Sequence, residues 1–203
     1  MKKKILYIYG YESSATDSRT MESVKAAMDK LGYDVVSVAY SQTMPRRAVK
    51  ELEDYVKSNG IEYIIGHSLG GFYALCVNVD VKKILINPCM KPHIELPKLH
   101  SNEEISPTAI AEFKQLYDER IKRNINVSHD LLGLFGLNDE LFCYYKDFSD
   151  LSPYAYFIQS GHRITNPNVF TKDIMDKIRI FLEDDTLNKI LSSFNSFEDE
   201  EEI

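Results

Sequence analysis

Short apolar runs alternate with helix-patterned segments along most of this chain, and that alternation leaves few folds open. Residues 4–9 form a compact apolar run that stops at Gly10, and residues 34–40 are rich in β-branched side chains. Residues 63–65, 83–87, 127–137 and 153–159 read as four further strands. Between the first two, residues 19–31 place Met21, Val24, Ala27, Met28 and Leu31 at helical spacing and close on Gly32. Pro45 opens a helix running to about Ser58, with Val49, Leu52 and Val56 on one face and Asn59-Gly60 as its stop. Residues 69–78 and 171–184 supply two more helices, the last offering Ile174, Ile178, Ile180 and Phe181 for burial. Strands that alternate with helices imply right-handed crossovers and a parallel sheet covered on both faces. The expected class is therefore α/β: a mainly parallel sheet of about six strands, with helices on both sides.

Residues 89–126 interrupt the rhythm. They follow Pro88, contain Pro92 and Pro97, and then give a helix near 107–122. An excursion between two sheet strands is either a small helical cap over a site or a long crossover, and both readings stand at this point. Residues 1–190 are expected to form a single domain. Residues 191–203 are expected to be a disordered acidic tail, because Glu198-Asp199-Glu200-Glu201-Glu202 carries five acidic residues of a chain whose net charge is −7. The rest of the chain is nearly neutral. It has no basic stripe of the kind that nucleic acid requires, so no nucleic-acid partner is expected. No apolar run reaches the length of a membrane span, and residues 5–9 are too short for the core of a signal peptide. Cys76, Cys89 and Cys143 are scattered, with no paired spacing. That suits a reducing cytoplasm and argues against a disulfide framework or a metal site.

The third predicted strand runs into Gly66-His67-Ser68-Leu69-Gly70 and then into a helix. This is a nucleophile-elbow pattern, G-x-S-x-G between strand and helix, and it nominates the Ser68 hydroxyl as a nucleophile. The pentapeptide alone would arise by chance in roughly one chain in fifteen of this length, given ordinary Gly and Ser frequencies. Its partners must carry the argument. A serine hydroxyl needs a base, and the base needs an orienting acid. In open parallel sheets both belong beyond the carboxyl ends of the strands.

Of five histidines, His67 sits inside the elbow and reads as structural, His93 and His100 lie in the interrupting segment, and His129 precedes the fifth strand at the wrong end of the sheet. His162, after the sixth strand, is the candidate base. Asp139 follows the fifth strand and is the candidate acid, with its neighbour Glu140 as the alternative. The competing reading of Asp139, the less favoured one, is an ordinary turn residue bonding its own backbone. The order Ser68, Asp139, His162 is that of the α/β hydrolases. Oxyanion stabilisation calls for two backbone amides: Leu69, just after the nucleophile, and Tyr11, in the loop Gly10-Tyr11-Glu12-Ser13-Ser14 after the first strand.

On these residues the chain resembles a known family. Tyr9-Gly10-Tyr11-Glu12-Ser13-Ser14 is similar to the His-Gly-Phe-Asn-Ser-Ser loop of small bacterial esterases of the YqiA/UPF0227 type. Gly66-His67-Ser68-Leu69-Gly70-Gly71-Phe72-Tyr73-Ala74 resembles their Gly-Ser-Ser-Leu-Gly-Gly-Phe-Tyr-Ala. Asn87-Pro88, Asn138-Asp139-Glu140 and Gly161-His162 match further family positions, so the resemblance spans roughly residues 4–182. It implies a compact α/β-hydrolase fold and a serine esterase activity. Three departures stand out: Tyr9 for the loop histidine, Asn138 for glycine, and Cys143 where the family often has an acid.

The expected function is hydrolysis of a small-molecule ester or thioester through an acyl-enzyme, with no cofactor or metal. Acyl transfer by the same residues, or ligand binding on a hydrolase scaffold, are the alternatives. Cys143 is expected in the pocket wall, with Tyr144 and Tyr145 as further lining, and Cys76 as a buried thiol. Oligomeric state is not legible in the sequence.

Overall fold

The computed structural model describes residues 2–100, 105–122 and 127–184. The predicted acidic tail lies outside them. Six strands, β1 (Lys4–Ile8), β2 (Asp34–Ser37), β3 (Ile61–His67), β4 (Lys82–Ile86), β5 (Leu131–Gly136) and β6 (Ala155–Ile158), form one sheet in the order β2-β1-β3-β4-β5-β6. Every neighbouring pair is parallel. The central strands read as nearly continuous apolar runs because both their faces are covered: residues 5–9 are at most 3% exposed.

Among the described residues seven α-helices accompany the sheet: α1 (Arg19–Lys30), α2 (Pro45–Ser58), α3 (Leu69–Cys76), α4 (Pro92–Leu99), α5 (Pro107–Leu116), α6 (Tyr145–Ser149) and α7 (Lys172–Glu183). Their starts follow capping chemistry. The hydroxyls of Ser18, Ser106 and Thr171 accept from the backbone amides of Met21, Ala109 and Ile174. Pro45 and Pro92 sit in the first turn, where a missing amide costs nothing. Leaving β1, the chain steps to one side for β2 and then crosses to the other side for β3. Right-handed crossovers therefore put α1 on one face and α2 and α3 on the other. The reversal of direction at β1 opens a crevice beyond the carboxyl ends of β1 and β3.

Several element limits differ from the sequence reading. β3 extends through Gly66 and His67, which look like turn residues but still pair with Leu85 and Ile86. β2 ends at Ser37 because the edge of the sheet stops there. Beyond it, the Tyr40 hydroxyl turns inward and donates to the Tyr9 carbonyl at 2.5 Å. β5 begins only at Leu131, since Ser128 and Asp130 are held in a side-chain-to-backbone turn. On α7 the buried set is Ile174, Ile178, Phe181 and Leu182, whereas Ile180 is 59% exposed. Two residues on a helix turn through about 200°, so Ile180 cannot share a face with Ile178.

The interrupting segment divides. α4 flanks the crevice, while α5 packs on α2 and α3, with Phe113 against Phe72 and Tyr73. A single π-helical turn, Tyr117–Lys122, ends it, and residues 101–104 and 123–126 lie outside those described. Among the described residues no helix is long and apolar enough to cross a membrane.

Candidate active site

Ser68 stands at the junction of β3 and α3 with φ 54° and ψ −121°. A non-glycine residue at positive φ costs about 1–3 kcal/mol and persists only where its surroundings enforce it. Here the turn is pinned through both backbone groups. The Ser68 amide donates to the Ile86 carbonyl at 3.1 Å, and its carbonyl accepts from Cys89 and Gly71, each at 2.9 Å. The turn closes only because two flanking positions lack side chains. A Cβ on Gly70 would lie 2.0 Å from the Ile8 carbonyl oxygen, and one on Gly66 would lie 2.5 Å from the Gly70 carbonyl oxygen.

The structure brings the three side chains named from the sequence into one line. The Ser68 Oγ lies 2.9 Å from His162 Nε2, and His162 Nδ1 lies 2.9 Å from Asp139 Oδ2. An ionised carboxylate only accepts, so Nδ1 carries the proton and Nε2 is the acceptor facing Ser68. The imidazole and carboxylate side chains are 4% and 2% exposed. Asp139 bonds both the turn and the imidazole. Its Oδ1 accepts from the Leu141 and Phe142 amides at 2.9 and 3.2 Å, which fixes the turn, while Oδ2 is left for the imidazole. Glu140, the alternative acid, serves differently: its Oε2 accepts from the His162 backbone amide at 2.9 Å.

The carbonyl of His162 is gripped as well, by two side chains to which the sequence attached no such task. Asn87 Nδ2 and His67 Nε2 both donate to it at 2.9 Å. Asn87 also donates to the Gly161 carbonyl and accepts from the Gly136 amide, so one buried amide ties together the ends of β4, β5 and β6. Asn87 holds φ 43° to do this. His67, structural as expected, is 6% exposed, and burial first, then the neighbouring His162 ring, hold its imidazole down at about 3. It is neutral, and its one proton is on Nε2. The signal for Asn87 was present only as a side chain at a strand's carboxyl end next to a proline.

Beside Ser68 the crevice widens into a cleft of about 610 Å³, within the range of small-molecule sites. One wall is the loop after β1, including Gly10, Tyr11 and Glu12; another is apolar, with Leu96, Leu99, Leu141 and Phe142; Arg19 and Arg163 complete the rim. Leu69 and Tyr11, the expected oxyanion donors, both line the cleft. Leu69 is the first residue of α3, where the helix dipole favours negative charge. The Tyr11 ring packs edge-on against His100, 4.4 Å between centroids. Tyr9 is buried in the core, and its carbonyl accepts from the Tyr40 hydroxyl at the start of the loop.

Cys143 is exposed and Cys89, instead, lines the cleft. Tyr144 turns to Glu95 at 2.6 Å and Tyr145 stacks on Phe157, so neither is a lining residue among those described. Burial pushes the Cys76 and Cys89 thiols well up, away from the reactive thiolate form. Among the described residues no His, Cys, Asp and Glu side chains gather as a metal-ligand set.

A parallel sheet with this order and a strand–turn–helix serine at its switch point define the α/β-hydrolase fold. Solved structures agree on the fold. An Agrobacterium vitis protein assigned as a hydrolase matches with TM-score 0.64 at 16% identity, covering 90% of this chain and 88% of its own. Est1E from Butyrivibrio proteoclasticus matches at 0.58 and 15%, covering 94% and 89%, and the Pyrococcus furiosus esterase Pf2001 at 0.56 and 17%, covering 90% and 83%. A comparison with curated protein sequences finds no match. The family profile described as uncharacterised protein family UPF0227 matches residues 4–179, and the chain belongs to that family.

Proposed function

We propose that the protein is a serine hydrolase acting on a small carboxylic ester or thioester. The observation that carries this reading is the hydrogen-bonded line Asp139–His162–Ser68, with Ser68 held at φ 54° beside the cleft. His162 Nε2 takes the Ser68 proton as Oγ attacks the substrate carbonyl, and Asp139 holds the imidazole and stabilises its charged form. The Leu69 and Tyr11 amides receive the oxyanion, a contribution worth about 10²–10³ in rate per donor in enzymes of this kind. Collapse of the tetrahedral intermediate expels the alcohol or thiol, which leaves with the proton from His162. Water, activated by the same imidazole, then releases the acid from Ser68.

The test is hydrolysis of a chain-length series of p-nitrophenyl esters and acyl thioesters. Turnover by the native protein and background rates for Ser68→Ala are expected. Undiminished turnover by the variant would remove Ser68 from the reaction.

A further inference from the structure

Two guanidinium groups at the mouth of the cleft have no counter-ion among the described residues. Arg19 and Arg163 are exposed, both line the cleft, and neither has an ion-pair or hydrogen-bond partner among the described residues. The segments that carry them are tied together. The Ile164 amide donates to the Thr20 hydroxyl at 3.1 Å, a buried bond that fastens the loop after β6 to the first turn of α1. Arg163 and Arg19 are the residues immediately before those two partners. Arg163 also directly follows His162.

The cleft is not simply basic. Glu12 and Asp17 line it too. Glu12 lies 3.5 Å from His100, on the α4 side. Asp17, two residues before Arg19, forms no ion pair with it among the described residues. Among the described residues, then, no side chain neutralises the two arginines, and a guanidinium matches the planar or tetrahedral oxygens of carboxylate and phosphate better than any other side chain. Their position gives the side of the reaction. His162 must hand its proton to the departing oxygen or sulfur, so the leaving group lies beside His162, next to Arg163.

Resting on the hydrolase reading above, we propose that the leaving group of the substrate carries an anion, a carboxylate or a phosphate, bound by Arg19 and Arg163. The apolar wall of Leu96, Leu99, Leu141 and Phe142 is left for the uncharged acyl part.

Three butyrate esters test this: those of 1-butanol, 4-hydroxybutanoate and 3-hydroxypropyl phosphate. They share the acyl group and differ in the charge of the leaving alcohol. The native protein should prefer at least one anionic ester over the neutral one by about tenfold or more in kcat/KM, the scale of one charge-assisted hydrogen bond. That preference should weaken with added salt, and should collapse toward unity in Arg19→Gln/Arg163→Gln. Which anionic ester wins separates carboxylate from phosphate. Calorimetric titration of Ser68→Ala with the same esters reads the preference without turnover.

Equal handling of all three esters by the native protein, with no anion preference in Ser68→Ala, overturns the inference, as does a preference that survives the double substitution. Turnover of the butyl ester that depends on Ser68, without anion preference, defeats the inference alone. Preferential binding of an anionic ester to Ser68→Ala, with no turnover of any ester by the native protein, supports the anion subsite and defeats the hydrolase reading.

Discussion

Asn87 does more for the site than its sequence position suggests. Its amide spans the carbonyls of Gly161 and His162 and the amide of Gly136, the backbone that carries His162 and leads into the turn of Asp139. In Asn87→Ala these groups lose a buried partner, and His162 loses one of its two carbonyl donors. We expect kcat to fall about 10–100-fold with little change in KM, since misplacement of about an ångström costs on that order while the cleft walls are untouched. Steady-state kinetics checks this, and a change confined to KM would contradict it.

His67 gives a pH prediction with a definite sign. Its folded value near 3 lies below the ordinary 6.5. Between those values the unfolded chain binds a proton that the folded chain refuses, so stability is full above about pH 6.5 and declines as pH falls toward 3. The slope from this group is about 1.4 kcal/mol per pH unit. Denaturant melts at pH 7, 5 and 4 should show His67→Gln losing less stability on acidification than the native protein; parallel losses would contradict the assignment. That Ser68, Asp139 and His162 would meet was legible in the sequence, because the proposed chemistry restricts each residue type and the strand-end rule restricts its place. Asn87, His67 and Glu140 act on backbone groups, and which carbonyl or amide lies nearby depends on three strand ends meeting in space.

At the scale of elements, the β3–Ser68–α3 unit depends on how closely α3 approaches β1. A methyl group on Gly70 would meet the Ile8 and Tyr9 backbone, which cannot rotate away as a side chain can. Gly70→Ala should therefore push α3 off the sheet, lower the melting temperature by several degrees, and abolish turnover together with it. Unchanged melting would contradict the packing described. The six strands and the longer helices were legible from period and punctuation. α4 was not, because Pro92 and Pro97 read as breaks; Pro92 is harmless in a first turn, and Pro97 sits late in a helix of only 8 residues. α6, with 5 residues, is too short to display a period.

Across the whole molecule, the reversal of strand order at β1 decides where chemistry can occur. It sets the loop after β1, the elbow after β3 and the loops after β5 and β6 around one crevice, though they come from residues as far apart as 10 and 163. The sequence contains the strands and their order along the chain, but their order across the sheet follows only once crossover handedness and packing are resolved. α5 shows the same dependence. Phe113 is fully buried against Phe72 and Tyr73, fixing the outer layer over α3. Phe113→Ala should cost about 3–5 kcal/mol of stability by denaturant melts, and a loss below about 1 kcal/mol would contradict this packing.

The central claim is that this architecture makes one serine nucleophilic through one histidine and one aspartate. The most direct measurement is intact-mass and peptide analysis after treatment with a fluorophosphonate. The account predicts a single adduct on Ser68 in the native protein, labelling slowed by about 10³-fold or more in His162→Ala and Asp139→Asn, and none in Ser68→Ala. An adduct elsewhere, or equal labelling of Ser68 without His162, would contradict it.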